Sequence, residues 1–243
     1  MLKRMLPAPP AGFYADVPCG GRVFVHHRED IGLAVLLSGS FEKAELAFAV
    51  EQTPPGSVAI DVGANIGMFA IPLARAVGRT GHVIAIEPSP ENACRLEQNV
   101  QLNALANVTV EPIAVAETQG SLLLHLASDP GFHSTTTTAD FRGTNEEIIV
   151  RAETLDRLWQ SRGEPHVSLI KLDTEGGECA ALRSASLLLS RCHPIVLVEA
   201  KDRDRARELD DWLSQFNYTR TRPRGFCLGN LAYIAAPVPT SIL

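Results

Sequence analysis

Residues Ile60 to Ala74 read IDVGANIGMFAIPLA. An apolar run reaches an acid, Asp61, crosses Gly63 and Gly67 and enters an amphipathic segment, the pattern of a strand, a tight turn and a helix. Glycines at such a turn let backbone N–H groups and a helix N-terminus come close to a ligand. Outward from it the same alternation continues: SVAID (57–61) as a strand, 66–77 as a helix, HVIAIE (82–87) as a strand, 90–103 as a helix and VTVEPIAV (108–115) as a strand. Strands alternating with helices predict an α/β fold, a mostly parallel sheet with helices on both faces.

The second helix is legible in detail: Ser89 as N-cap, Pro90 at the first helical position, and Ala93, Leu96 and Val100 along one face. Further on, VSLIKLD (167–173) and PIVLVEA (194–200) read as strands, 177–190 and 202–215 as helices, and the tail FNYTRT…NLAYIAAP as a closing hairpin. SLLLHL (121–126) and EEIIVRAETL (146–155) are strand-like runs around a polar insert, 127–145, long enough to suggest a lid or mobile loop. Upstream, residues 1 to 15 read as an arm, GRVFVHH as a short strand, and SFEKAELAFAVEQ as a helix ending before Pro54 and Pro55. The expected division is an N-terminal arm and lead-in, 1–55, and one domain, 56–243.

With 243 residues, 45% of them hydrophobic, the chain can bury one large core. A formal net charge of −6 offers no basic field, so neither nucleic acid nor a membrane surface is expected as a partner. The five cysteines are scattered and form no CxxC pair, which fits a reducing cytoplasm and suggests no thiolate metal site. MLKRMLPAPPAGF is broken by prolines before a signal peptide could form, and no apolar run approaches the roughly 18 residues of a spanning helix.

Glu87 ends the strand after Asp61, where a carboxylate can accept both hydroxyls of a ribose, so the pair of acids points to an adenosine-bearing ligand. A dinucleotide pyrophosphate calls for GxGxxG; here Asn65 stands in the middle and Asp61 would repel an anion. S-adenosylmethionine, with a sulfonium and an ammonium group and no phosphate, suits that acid better than a nicotinamide cofactor does.

DVGANIGMFA, IAIEPSPENACRLEQNVQLN, TLDRL, IKLDTEGGECAAL and VLVEA, in that order over roughly residues 40 to 200, resemble the FkbM family of S-adenosylmethionine-dependent methyltransferases. The resemblance implies a class I methyltransferase fold, a Rossmann-like seven-stranded sheet with its last strand antiparallel, and O-methylation of a sugar, polyketide or similar natural-product hydroxyl. By position it assigns Asp61, Gly63, Ala64, Asn65 and Gly67 to the methionine end of the cofactor, and Glu87 with Pro88 and Ser89 to the ribose. Pro112 to Val115, including Ala114, fall to the adenine, and Glu42 of SFEKAEL to the cofactor rim.

KLDTEGGE sets Lys171, Asp173, Glu175 and Glu178 at a strand end where open α/β sheets bind ligands. Methyl transfer to a hydroxyl needs the acceptor oxygen held in line and its proton taken. Asp173 or Glu199 can serve as that base, or the two can hold a divalent metal that acidifies the hydroxyl; acids at helix starts also serve simply as caps. His133, in the polar insert, is the histidine candidate for a general base. Two other readings stand beside the enzyme: a noncatalytic S-adenosylmethionine-binding domain, which could dispense with the Asp173 cluster, and a nicotinamide-dependent oxidoreductase.

Overall fold

The computed structural model describes residues 12–127, 133–135 and 143–236. The chain enters through β1 (Phe13–Asp16), antiparallel to β2 (Arg22–Val25), so the last residues of the segment read as an arm form a strand, while 1–11 lie outside the described residues. Alternation explains the pairing, since Ala15 faces Val23 in register and both are buried. A helix not read from the sequence follows, α1 (Asp30–Ser38), which stops at Gly39, whose N–H bonds the Val35 carbonyl. Then comes the expected lead-in helix, α2 (Lys43–Glu51).

The core alternation begins with β3 (Val58–Val62), α3 (Ala70–Val77), β4 (His82–Ile86), α4 (Pro90–Leu102) and β5 (Val108–Glu111). Helix α3 starts four residues later than the periodicity suggests, because Asn65 and Gly67 take positive φ (49° and 97°) and hold 63–69 as a turn. Ser89 caps α4 as expected, accepting from the Asn92 N–H. On the same helix Asn99 and Asn103 bind the backbone of β2 at Phe24 and Arg22, a side-chain substitute for a strand partner. The predicted strand 108–115 is cut at Pro112, and its second half, β6 (Ala114–Val115), joins a small separate sheet with β7 (Gly120–Ala127) and β8 (Gly143–Glu153), in the order β6-β8-β7.

After α5 (Leu155–Gln160) and β9 (Val167–Leu172), the expected helix 177–190 is two, α6 (Glu178–Arg183) and α7 (Ser186–Cys192). Asp156 caps the second, its carboxylate accepting from the Leu187 and Leu188 N–H groups, while the Ser184 hydroxyl fills the break by bonding the Ala181 carbonyl. β10 (Ile195–Glu199), α8 (Arg203–Ser214), β11 (Tyr218–Thr221) and β12 (Asn230–Ala235) complete the chain. The main sheet runs β11-β12-β10-β9-β3-β4-β5, parallel except for β12, which is antiparallel to both neighbours. No described helix is long and apolar enough to cross a membrane.

Side chains alternate between two cores. On one face Ala59, Val83, Ala85, Leu169 and Leu197 meet α1 to α4; on the other Ile60, Val62, Ile84, Ile170, Val196 and Val198 meet α5 to α8. The same two-residue period, carried past the strand ends, puts Asp61, Glu87, Lys171, Asp173 and Glu199 on the first face. The polar residues thus gather at one edge of one face because they share the parity of a buried apolar set.

Candidate functional site

The described cleft opens at the carboxyl ends of β3, β4 and β9, where ligands bind in open α/β sheets. Its walls include Gly63, Ala64, Asn65, Phe69, Glu87, Pro88 and Ala114, with Lys171, Asp173, Thr174 and Glu175 at one end. The small sheet contributes Val115 and Leu124, and α1 contributes Ile31. Ile113, Ala114, Val115 and Leu124 make part of its wall apolar.

The turn is built by its own backbone. Gly63 and Ala64 donate their N–H groups to the Ile86 carbonyl at 2.9 and 3.0 Å, and Gly67 donates to Ala64. Asn65 donates to a Glu87 oxygen at 2.8 Å. Four N–H groups of the turn are therefore spent internally, and the anion cradle the sequence allowed is not offered by them. Gly63 has no substitute: φ is 77°, and a Cβ would lie 1.8 Å from the Asp173 carbonyl oxygen.

Glu87 is 5% exposed and its other oxygen accepts from the Ser89 N–H at 2.9 Å. Burial pushes its carboxyl up to about 7, against the pull of those two amides. Ser89 and Gly67 do not line the cleft: the serine shapes Glu87 and caps α4, and a Cβ at position 67 would strike Leu96. Asp61 does not line it either. It is 0% exposed, and it faces the Ala70 backbone N–H and Lys171, its register neighbour on β9, with Nζ 3.7 Å from Oδ1.

Lys171 is a residue to which the sequence analysis gave no role of its own. Its Nζ also lies 3.3 Å from Asp173 Oδ2 and 4.9 Å from the centre of the Phe69 ring. Burial works against its charge, but the carboxylates of Asp173, Asp61 and Glu42 outweigh burial and hold the ammonium above its usual range. The available signal was parity: in VSLIKLD the lysine falls in phase with buried Leu169.

Glu42 and Glu199 line a small recess behind Lys171 and Asp173 rather than the cleft itself. Asn230 donates to Glu42 at 3.0 Å and to Glu45 at 3.1 Å. Burial, with repulsion from Asp173 and Glu45, raises Glu42 to about 7; burial, with repulsion from Asp173 and Glu175, raises Glu199 to about 8. The carboxylates of Asp173, Glu175 and Glu199 come within 4.8 Å of one another. Two of the three are also paired with a lysine, Asp173 with Lys171 and Glu175 with Lys201.

Glu178 is structural: one oxygen accepts from the Thr174 N–H, the Thr174 hydroxyl and the Gly176 N–H, and so fixes the loop that carries Asp173. Ser134 fastens the described part of the insert to that loop by donating to the Glu175 carbonyl at 2.8 Å. His133 lines the cleft but is corrected as a base: its Nδ1 accepts from the Ala127 N–H at 2.9 Å, which puts the proton of the neutral ring on Nε2 and leaves no lone pair for the acceptor. The remainder of the insert reading, 128–132 and 136–142, lies outside the described residues.

A family described as "Methyltransferase FkbM domain" matches residues 61–220. Methyltransferase 1 of Beauveria bassiana is 26% identical over 165 residues, 68% of this chain and 63% of that protein, so the chain spans less than two thirds of that relative's length. Among solved structures, methyltransferase FkbM from Methylobacillus flagellatus KT superposes with a TM-score of 0.51 at 18% identity, over 79% of this chain and 51% of that one. TYW2 of M. jannaschii, solved in complex with AdoMet, superposes with a TM-score of 0.50 at 14% identity, over 94% of this chain and 86% of that one. The match covers the turn, both strand-end acids and the Asp173 loop, and by it the chain belongs to the FkbM methyltransferase family.

Proposed function

We propose that the protein binds S-adenosylmethionine in the cleft and transfers its methyl group to a hydroxyl of a small molecule. The observation that carries this reading is the turn itself. Its N–H groups at 63, 64, 65 and 67 are consumed within the protein, so the turn offers no pyrophosphate cradle, while Glu87 beside it remains for a ribose. That wall suits a nucleoside without a phosphate, which speaks against a nicotinamide oxidoreductase.

When bound, S-adenosylmethionine supplies an electrophilic methyl on its sulfonium. The chain supplies position and proton transfer. Glu87, its carboxylate held by two amides, keeps lone pairs for the ribose hydroxyls, and Ala114 with its apolar neighbours takes the adenine. Asp173 stands at the cleft wall with its charge stabilised by Lys171, suited to orienting the acceptor. Glu199, raised to about 8, lies in the recess behind Asp173, its carboxylate within 4.8 Å of that residue's, and takes a proton near neutral pH by way of Asp173. The acids Asp30, Glu87, Asp173 and Glu175 in the wall disfavour phosphate-rich acceptors such as nucleic acid and favour a neutral hydroxylated compound, a sugar or polyketide.

Parallel calorimetric titrations with S-adenosylmethionine, S-adenosylhomocysteine and NAD test the reading. Binding of the first two alone supports it and justifies a screen of hydroxylated acceptors with and without magnesium. Binding of NAD alone refutes it. In the screen, turnover separates an enzyme from a noncatalytic binding domain.

A further inference from the structure

The wall of the cleft leaves one chemical need unmet. S-adenosylmethionine carries an α-carboxylate, and the turn N–H groups that commonly meet an anion are occupied by Ile86, Glu87 and Ala64. Lys171 is the one lysine or arginine among the described residues lining the cleft. It is 6% exposed, and its ammonium is fixed from several sides: Asp61 on β3 at 3.7 Å, Asp173 at 3.3 Å and the Phe69 ring at 4.9 Å. Glu42, before α2, adds its field.

A buried ion pair adds little to stability, and well-packed apolar residues of the same volume often serve as well or better. The Asp61–Lys171 pair lies in a row of strand positions whose members next to it on either side, Ala85 and Leu197 with Ala232 beyond, are apolar. Asp61, fully buried, has no cleft surface with which to touch a ligand; what it holds is the lysine, together with the Ala70 backbone at the start of α3.

Resting on the S-adenosylmethionine reading, we propose that Lys171 receives the α-carboxylate of the cofactor and that Asp61 is a positioning residue, acting on the cofactor only by anchoring that ammonium. This moves the role of Asp61 from contact to support. It also gives the lysine of KLDTEGGE a binding function distinct from the acids around it.

The test compares S-adenosylmethionine with its decarboxylated form, which keeps the sulfonium and the amine and lacks only the carboxylate, by calorimetric titration of the intact chain. The parent should prefer the carboxylated form by about tenfold or more, the scale of one hydrogen bond to a charged group. Lys171→Gln should abolish that preference by weakening S-adenosylmethionine alone, and Asp61→Asn should narrow it. A variant that loses both ligands equally, or keeps the preference, overturns the proposal, since a merely structural lysine would move both affinities together. If Lys171→Gln does not fold, Lys171→Met, apolar and of similar length, makes the same comparison. A parent that binds both forms equally refutes the proposal without any variant. A parent that binds neither refutes the cofactor reading, and the proposal falls with it.

Discussion

Replacing Glu87 by Gln should make the ligand-free protein more stable at alkaline pH while destroying its affinity for the cofactor. Glu87 is buried and its carboxyl is raised from 4.5 to about 7, so the folded state holds the proton more tightly than the unfolded chain. For an acid raised in this way, the favourable contribution is complete below the unfolded value and is lost as pH climbs through the folded one. A shift of about 2.5 units at about 1.4 kcal/mol per unit makes the ionised carboxylate cost roughly 3 kcal/mol above pH 8. Glutamine removes that cost, but turns its NH2 toward one of the two amides that now donate to Glu87, from Asn65 or Ser89, losing about 1 kcal/mol. The variant should therefore gain about 2 kcal/mol on the parent at pH 8 and lose that advantage near pH 5. Glu42 and Glu199, raised for similar reasons, titrate alike in both proteins and cancel in the difference. Urea unfolding of both proteins at several pH values from about 5 to 8 reads the gap directly. A gap that does not change with pH would refute the reasoning, because burial would then not be suppressing the charge. Cofactor binding should carry the complementary signature: affinity in the parent rises with pH up to about 7, as the ribose hydroxyls select the ionised carboxylate, and the variant shows neither the rise nor the affinity.

Other substitutions test other parts of the site. Gly63→Ala sets a Cβ against the Asp173 carbonyl in a backbone region alanine avoids, so thermal unfolding should fall by several degrees and cofactor titration should lose most of its signal. Glu178→Ala removes the acceptor of three hydrogen bonds and should cost about 2–3 kcal/mol in urea unfolding; the loop carrying Asp173 should become the first site of limited proteolysis. Asp173→Asn should suppress turnover, once an acceptor is in hand, far more than it weakens cofactor titration, which it reaches only through Lys171; full activity would remove Asp173 from the chemistry. With that acceptor, the rate should climb with pH through a midpoint near 8, and Glu199→Gln should erase the climb.

The strand-turn-helix at Ile60 to Ala74, the alternation that follows it, the cap at Ser89 and the closing hairpin were legible in the sequence, because period, glycine placement and capping are local properties. So were the acids at strand ends, which announce themselves by interrupting apolar runs. Sequence patterns misplaced what depends on neighbours. Helix 177–190 breaks in two because Asp156, some thirty residues earlier, caps its second half. Strand 108–115 splits because Pro112 turns its end into another sheet. The parity that gathers Asp61, Glu87, Lys171, Asp173 and Glu199 on one face could be counted from the sequence, but the pairing of strands 3, 4, 9 and 10 that brings them together could not. Only the folded chain decides that Asp61 is sealed beneath the cleft while Lys171 faces it, that the turn spends its N–H groups within the protein, and that His133 Nδ1 accepts from the Ala127 N–H. Residue types specify which chemistry is available; burial and hydrogen-bond partners, which are long-range, specify which atoms remain able to perform it.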